Sequence, residues 1–373
     1  MLHTNGRGPT HALVLLALLT FAPGLLVAQG EVALPKAVGE AKFPARVEEL
    51  RGIVRFLSHD RMRGRAAGSA EDGITAVYIA SEFERAGLEP GVGDGWEQRF
   101  SFAPRDGSEP ITTQNIVGRL PGQGDSASKD SARHVIVCGH HDHLGVDREG
   151  NVYNGADDNA SGIAGMVAIA RALRSGPVSP KMTILFIAFG GEESGLRGAK
   201  HYVENPLLPL DQLAAVINLD MISRPRFLDS KDLVPFKAML GLGNGPGVGL
   251  LGGEKAPRLL GYARAACKVE SIDSFAPQDF PMLREQIRRM TEGRDDSSVF
   301  RARGIRTLFL STAEHDDYHR PTDTIDTISF EVLERVAAVA WRTVLAVSFE
   351  EAPPKAPNEG EPEPEGGDEG RDL

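Results

Sequence analysis

The sequence predicts an α/β fold, a parallel or mixed sheet covered by helices. Three observations carry the prediction. Continuous apolar runs recur at 135–139, 182–189, 213–219 and 305–310, and short runs without alternation belong to strands buried on two faces. Apolar stripes at helical spacing accompany them, at Ile163, Met166, Val167 and Ala170 and again at Val332, Val336, Val339, Ala340 and Val347. Each run also leads to a histidine or a carboxylate: His140, then Glu192 with Glu193, then Asp220, then a loop holding His315 and His319. Ligands bind outside the carboxyl ends of the strands in open α/β sheets, so these polar groups are predicted to meet at one edge.

In chain order, Arg7 precedes an apolar stretch from Ala12 to Val27 that is broken by Pro23 and followed by Ala28 and Gly30. That pattern predicts an export signal over 1–30, too short and too interrupted for a membrane span. No cysteine lies near its end, which disfavours a lipid anchor. Ile74, Val77 and Tyr78 mark a helix that packs ahead of the strands. The interval between Asn115 and His140 has no room for an inserted domain. Cys138 lies inside the first strand and by alternation shares a face with His140. It and Cys267 are the two cysteines of the chain, and both are expected as free thiols, since buried cysteine acts as a small hydrophobe.

The segment 224–294 is harder to read. It holds a GxGxxG match at 247–252, but a dinucleotide fingerprint needs a strand before it and a helix after it. The preceding residues 241–246 read instead as a flexible loop, so a glycine-rich rim or a substrate-dependent lid beside a pocket is expected. The last 23 residues, 351–373, carry eight acids and two bases, a net of −6 against −11 for the whole chain. That composition predicts a disordered tail after one folded domain over 31–350.

The chemistry lies in 154–162, Asn-Gly-Ala-Asp-Asp-Asn-Ala-Ser-Gly, between His140 and the Gly190-Gly191-Glu192-Glu193 step. Asx and glycine clusters are usually turns, and paired glutamates are usually helix starts. The common strand edge argues for more. A catalytic zinc takes nitrogen and oxygen ligands and keeps a place for water, and two ions sharing a carboxylate clamp both oxygens of a displacement. His140 offers the imidazole. Asp142, two residues on, can accept the other ring N–H and fix the tautomer. Glu192 and Glu193 point apart, so one can hold metal while the other serves as general base.

These residues resemble the co-catalytic di-zinc aminopeptidases, a group that includes glutamate carboxypeptidase, glutaminyl cyclase and transferrin-receptor relatives. The resemblance runs over 57–349 and keeps the motif order HHDHLG, NGADDNASG, FGGEESGLRG, INLDMI and DYHRPTDT. It implies a mixed, largely parallel sheet sandwiched between helices. It also implies two zinc ions bridged by Asp158, one completed by Glu193 and His319 and the other by His140 and Asp220. Glu192 would be the catalytic base and Asp142 the orienter of His140. Asp157 is expected to shape the loop. His141, His143 and His315 receive no role beyond solvated or supporting positions. In one departure, Ser297 stands in 295–300 where relatives commonly carry histidine, which bears on the substrate pocket rather than on the metal ligands.

The expected function is that of an exported, periplasmic or extracellular exopeptidase, removing N-terminal residues from peptides with a free N-terminus. A carboxypeptidase on the same scaffold would need cations for a terminal carboxylate, with Arg224, Arg226 and Arg294 as candidates. A glutaminyl cyclase would work with one zinc, and a receptor-like binding domain would not need Glu192 or the full ligand set. No basic stripe, stacked aromatics or motif suggests nucleic acid, and no stable membrane association is expected after signal removal. The sequence is silent on oligomeric state.

Overall fold

The computed structural model describes residues 32–104, 107–123 and 133–351. The expected export signal over 1–30 and, beyond Glu351, the expected acidic tail lie outside the described residues. Eleven strands are present among those described: β1 (Glu89–Pro90), β2 (Glu97–Phe102), β3 (Ile111–Leu120), β4 (His134–His140), β5 (Gly145–Val146), β6 (Val152–Tyr153), β7 (Thr183–Phe189), β8 (Leu213–Leu219), β9 (Gly247–Leu251), β10 (Asp273–Phe275) and β11 (Thr307–Ser311). The helices are α1 (Lys36–Glu40), α2 (Val47–Leu57), α3 (Ala70–Arg85), α4 (Gly162–Ser175), α5 (Arg197–Glu204), α6 (Val234–Met239), α7 (Pro257–Val269), α8 (Arg284–Thr291), α9 (Ser297–Arg301) and α10 (Phe330–Ser348).

Nine strands form one sheet in the order β1-β3-β7-β4-β8-β11-β9-β10, with β2 also paired to β3. Its centre, β7-β4-β8-β11, is parallel throughout. Both flanks run against it, β3 beside β7 and β9 beside β11. The sheet is therefore mixed with a parallel heart, and the four strands expected from the apolar runs are the four at that heart.

Both faces of the centre are apolar, which is why those runs do not alternate. Val135 and Val137 of β4, with Ile184, Phe186 and Ala188 of β7, pack against Ile163 and Val167 of α4 and Val336 and Ala340 of α10. The intervening Ile136 and Cys138, with Leu185, Ile187 and Phe189, pack on the opposite face against Tyr202 of α5 and Phe300 of α9. Burying one such side chain contributes about 1.5–3 kcal/mol, so two helical layers clamp the strand ends firmly. Cys138 and Cys267 are both free and buried, as expected.

One expectation is corrected. Helix α3 forms, capped by Ser69, whose side chain accepts the Asp72 N–H. However, Ile74 and Val77 are 50% and 62% exposed. The helix packs instead through Ala76, Ile79 and Phe83, the set three and four apart that faces the sheet. The glycine-rich 247–252 run, expected as a rim beside the pocket, forms a strand over Gly247–Leu251, β9, hydrogen-bonded on both sides. Small residues hid it, because a strand without bulky side chains carries no apolar signature.

Candidate active site

The chain leaves β4 for β7 on one side and then crosses to β8 on the other. A crevice opens where connections diverge in this way, and His140 ends the strand at that point. His140 is buried, and its Nδ1 lies 3.0 Å from the Asp142 main-chain carbonyl. A carbonyl only accepts, so Nδ1 donates to it, and Nε2 is the nitrogen that faces the crevice. Nε2 stands 3.1 Å from Asp158 Oδ1 and 3.4 Å from Asp220 Oδ1.

Asp142 meets the His140 ring by another atom than the carboxylate expected. Its carboxylate is 3.9 Å from the ring, and Oδ1 accepts instead the backbone N–H of Glu192 at 3.0 Å. Past the end of β4 the period-two rule no longer aims the side chain, so the main chain takes over the contact with the ring.

Asp158 sits between two groups of candidate ligands. Its Oδ1 faces His140, while its Oδ2 lies 3.3 Å from His319 Nε2. Glu193 Oε2 is 3.2 Å from the same His319 nitrogen. All five residues expected to hold metal therefore converge, as His140-Asp158-Asp220 and as Asp158-Glu193-His319. His143 joins the second group: its Nδ1 is 2.8 Å from Glu193 Oε1 and 3.8 Å from Asp158 Oδ2. Donor atoms of His140, Asp158 and Asp220, and of His143, Asp158 and Glu193, lie within 4.8 Å of one another.

The electrostatics suit cations. Asp158 Oδ2 and Asp220 Oδ1 are buried without a hydrogen bond, an arrangement that ordinarily costs stability unless an ion is bound. Burial opposes the charged form of Asp158, yet His143, His140 and His319 hold its carboxyl well below the ordinary range. Burial likewise opposes ionised Glu193, and His143 and His319 still draw it down against the repulsion of Asp158. Asp220 is pushed up to about 6 by burial, against the attraction of His140. Glu192 is held well above the ordinary carboxyl value by burial, with Asp296, Asp220 and Glu193 adding repulsion.

The Asp157–Asp158 turn is fixed from beneath. Gly155 at its head has φ 57°, and a Cβ there would meet Asp158 O at 2.2 Å and the His143 ring at 2.6 Å. Asp157, given only a loop-shaping part, is the hub of that support. It accepts the Ser223 N–H at 3.0 Å and faces His315 Nε2 at 3.2 Å and Arg224 Nε at 3.4 Å. Asp323 accepts the N–H groups of Asp157 and Asp158 and is paired with Arg224 at 2.8 Å. Arg65 donates to the carbonyls of His141, Leu57, Asn154 and Gly155, joining the loops after β4 and β6. Sequence reasoning missed Arg65 and Asp323, since nothing marks a distant buried cation or a lone aspartate. His141, His143 and His315 are buried rather than solvated, and His141 reaches Asp72 at 3.0 Å. Adjacency to His140 and His319 was the available signal.

A cavity of about 220 Å³ opens from His140, Asp158, Glu192, Asp220 and His319. Its far walls come from the segment 227–294 and are largely apolar. Ser297 is not among its lining residues; it is buried, and its hydroxyl donates to Asp295. The departure at that position therefore leaves the pocket wall untouched. Asp296 beside it is buried with neither carboxyl oxygen hydrogen-bonded.

Known proteins resemble this chain. A probable zinc metalloprotease of Pyrenophora tritici-repentis is 32% identical over 171 residues, 44% of this chain and 37% of that protein. The chain thus spans well under half the length of that relative. Among solved structures, a zinc aminopeptidase from Bacillus subtilis superposes with a TM-score of 0.62 at 18% identity, over 81% of this chain and 95% of that one. A glutaminyl cyclase of Fimbriiglobus ruber superposes with a TM-score of 0.60 at 16% identity, over 81% and 96%. These likenesses extend the fold beyond this chain. From Asn115 in β3 to Val344 in α10, across the whole constellation, the sequence matches the description of peptidase family M28, and the chain belongs to that family.

Proposed function

We propose that this protein is an exported zinc-dependent aminopeptidase, with 1–30 as its export signal and 31–350 as a single catalytic domain. One observation carries the reading: Asp158 offers each of its oxygens to a different imidazole, and each imidazole has a second carboxylate of its own, Asp220 or Glu193. That donor set fits two zinc ions sharing one carboxylate, and the buried oxygens without hydrogen bonds fit the same picture. When bound, the ions supply Lewis acidity toward the scissile carbonyl and make a water acidic near neutral pH.

The chain's own residues supply the rest. Glu192 reaches the pocket from the β7 loop, where burial favours its protonated form. Its ionised carboxylate, made more basic by that burial, takes a proton from the attacking water and, once protonated, returns it to the departing amine. The Asp142 carboxylate fixes the Glu192 main chain, so the base is aimed by the same residue that orients His140. The carboxylates that line the cavity attract the α-ammonium of a peptide.

The alternatives find less support. Arg224 is buried and committed to Asp157, Asp317 and Asp323, and Arg226 is paired with Asp229 at the surface. Arg294 lines the cavity but is paired with Glu314 at 3.1 Å. A carboxypeptidase would thus lack a free cation among these candidates. The test is hydrolysis of a leucine-capped chromogenic peptide with free or acetylated N-terminus, each with and without a zinc chelator. Chelator-sensitive cleavage of the free-amine substrate alone is expected. Cleavage of neither by metal-loaded protein would overturn the aminopeptidase reading.

A further inference from the structure

The pocket wall facing the metal ligands is built from aromatic rings whose position is set by two glycines. Phe227 and Phe275 stack with centroids 4.5 Å apart and planes 22° from parallel. Behind them lies β9. A Cβ on Gly247 would come within 2.6 Å of the Phe275 ring and 3.0 Å of Phe227 Cβ, and a Cβ on Gly249 within 3.3 Å of the Phe227 ring. Residues two apart on a strand share a face, so both missing side chains lie on the side where the rings sit. The stack sinks against the sheet, and the cavity gains the depth that two methyl groups would have taken.

The wall is held in place. Buried Lys237 donates to the Phe227 carbonyl at 2.7 Å, and the Phe227 N–H donates to Gly245 O at 3.3 Å. Phe280, Ile287 and Met290 also line the cavity, and the lining cation Arg294 is neutralised by Glu314. What enters must therefore be apolar. A cavity near 150 Å³ holds a benzene molecule. This one, at about 220 Å³, takes a ring and leaves room for the backbone atoms that carry it. A flat ring also packs on the face or edge of an aromatic pair in a way that a branched aliphatic side chain does not.

We propose that the Phe227–Phe275 stack, set back on Gly247 and Gly249, is the specificity-determining wall of the site and selects peptides with an aromatic N-terminal residue, phenylalanine ahead of leucine and both far ahead of alanine or lysine. The proposal rests on the aminopeptidase reading and names its substrate class. It is tested by kcat/KM on aminoacyl p-nitroanilides of Phe, Leu, Ala and Lys, and by calorimetric binding of phenylalaninol and alaninol, which keep amine and side chain but have no scissile carbonyl.

Phenylalanine is expected to exceed alanine on the order of tenfold or more in both measurements, as a filled apolar pocket gives. Gly249→Ala should lower the Phe-to-Ala ratio severalfold, mainly through KM. Phe275→Leu, on the edge strand β10, should bring the Phe-to-Leu ratio close to one; it keeps the test available should the glycine variant fold poorly. Equal values for Phe, Ala and Lys overturn the proposal, and chelator-sensitive hydrolysis in that case leaves the aminopeptidase reading standing. No chelator-sensitive hydrolysis of any free-amine substrate overturns that reading and the substrate assignment with it.

Discussion

The Asp142 carboxylate accepts the backbone N–H of Glu192 at 3.0 Å, while the Asp142 carbonyl takes the Nδ1–H of His140. One residue thus contacts both a proposed metal ligand and the proposed base, by two different atoms. Replacing the carboxylate should disturb Glu192 more than His140, because the carbonyl survives every substitution. Asp142→Ala is expected to lower kcat about 10–100-fold, the usual cost of losing such a supporting contact, with a smaller change in zinc content. Asp142→Asn retains an acceptor oxygen and should fall between. Zinc analysis beside steady-state kinetics checks the order; loss of zinc equal to the loss of turnover would show that the carboxylate serves the metal instead.

Glu192 and Glu193 are neighbours with opposite surroundings. Burial and three carboxylates hold Glu192 toward its protonated form, whereas two imidazoles draw Glu193 toward its charged form. Glu192→Gln should therefore keep both metals and lose about 10²–10⁴ in kcat, the range for removal of general acid–base catalysis. Glu193→Gln should lose metal first. Equal zinc loss in the two variants would mean that the roles are exchanged or shared.

The parts of the site that proved legible were those tied to strand ends. Val135, Ile184 and Ala215 announce buried strands because both faces of the sheet are covered, and each strand delivers its next polar residue to the same edge. Strand β9 was illegible because Gly247 and Gly249 give way to Phe227 and Phe275, a relation visible only once the chain is folded. The same holds for Arg65 and Asp323. A buried arginine that serves four main-chain carbonyls has no periodic partner in the sequence, and the Asp323 contacts span more than 160 residues. The face of α3 was misassigned because Ile74 and Val77 are apolar yet exposed, and composition does not tell a helix which side to bury.

Metal uptake should release protons. In the metal-free protein burial opposes protonated His319, but Asp158 and Glu193 outweigh it and push the ring up to about 10. His140 is raised as well, burial being outweighed by Asp220 and Glu192. His319 is therefore charged at neutral pH until an ion displaces the proton, and His140 shifts in the same direction. Zinc binding at pH 7 is expected to release protons, that of His319 among them, and to tighten as pH rises. The stability contributed by charged His319 has the opposite slope. It is fully present below the unfolded value near ~6.5 and is lost as pH climbs through about 10. Metal-free protein should thus lose thermal stability across that window while zinc-loaded protein loses zinc on acidification. Calorimetry in buffers of different ionisation enthalpy counts the protons; a buffer-independent heat would contradict the assignment.

Arg224 separates a structural role from a substrate-binding one. Its guanidinium is 4% exposed and lies 3.4, 3.0 and 2.8 Å from Asp157, Asp317 and Asp323. Asp323 in turn holds the N–H groups on both sides of the Asp157–Asp158 peptide. Removing the cation leaves buried carboxylates uncompensated, which typically costs about 3–5 kcal/mol. Arg224→Met should therefore lower the unfolding midpoint and loosen metal binding through the Asp158 turn. If Arg224 instead received the terminal carboxylate of a substrate, its loss would raise KM for free peptides and spare their C-terminal amides. Denaturant unfolding, zinc content and KM for a peptide acid and its amide decide between the two. The geometry calls for a stability loss with equal KM changes on acid and amide, because a guanidinium already shared by three carboxylates has no place for a fourth.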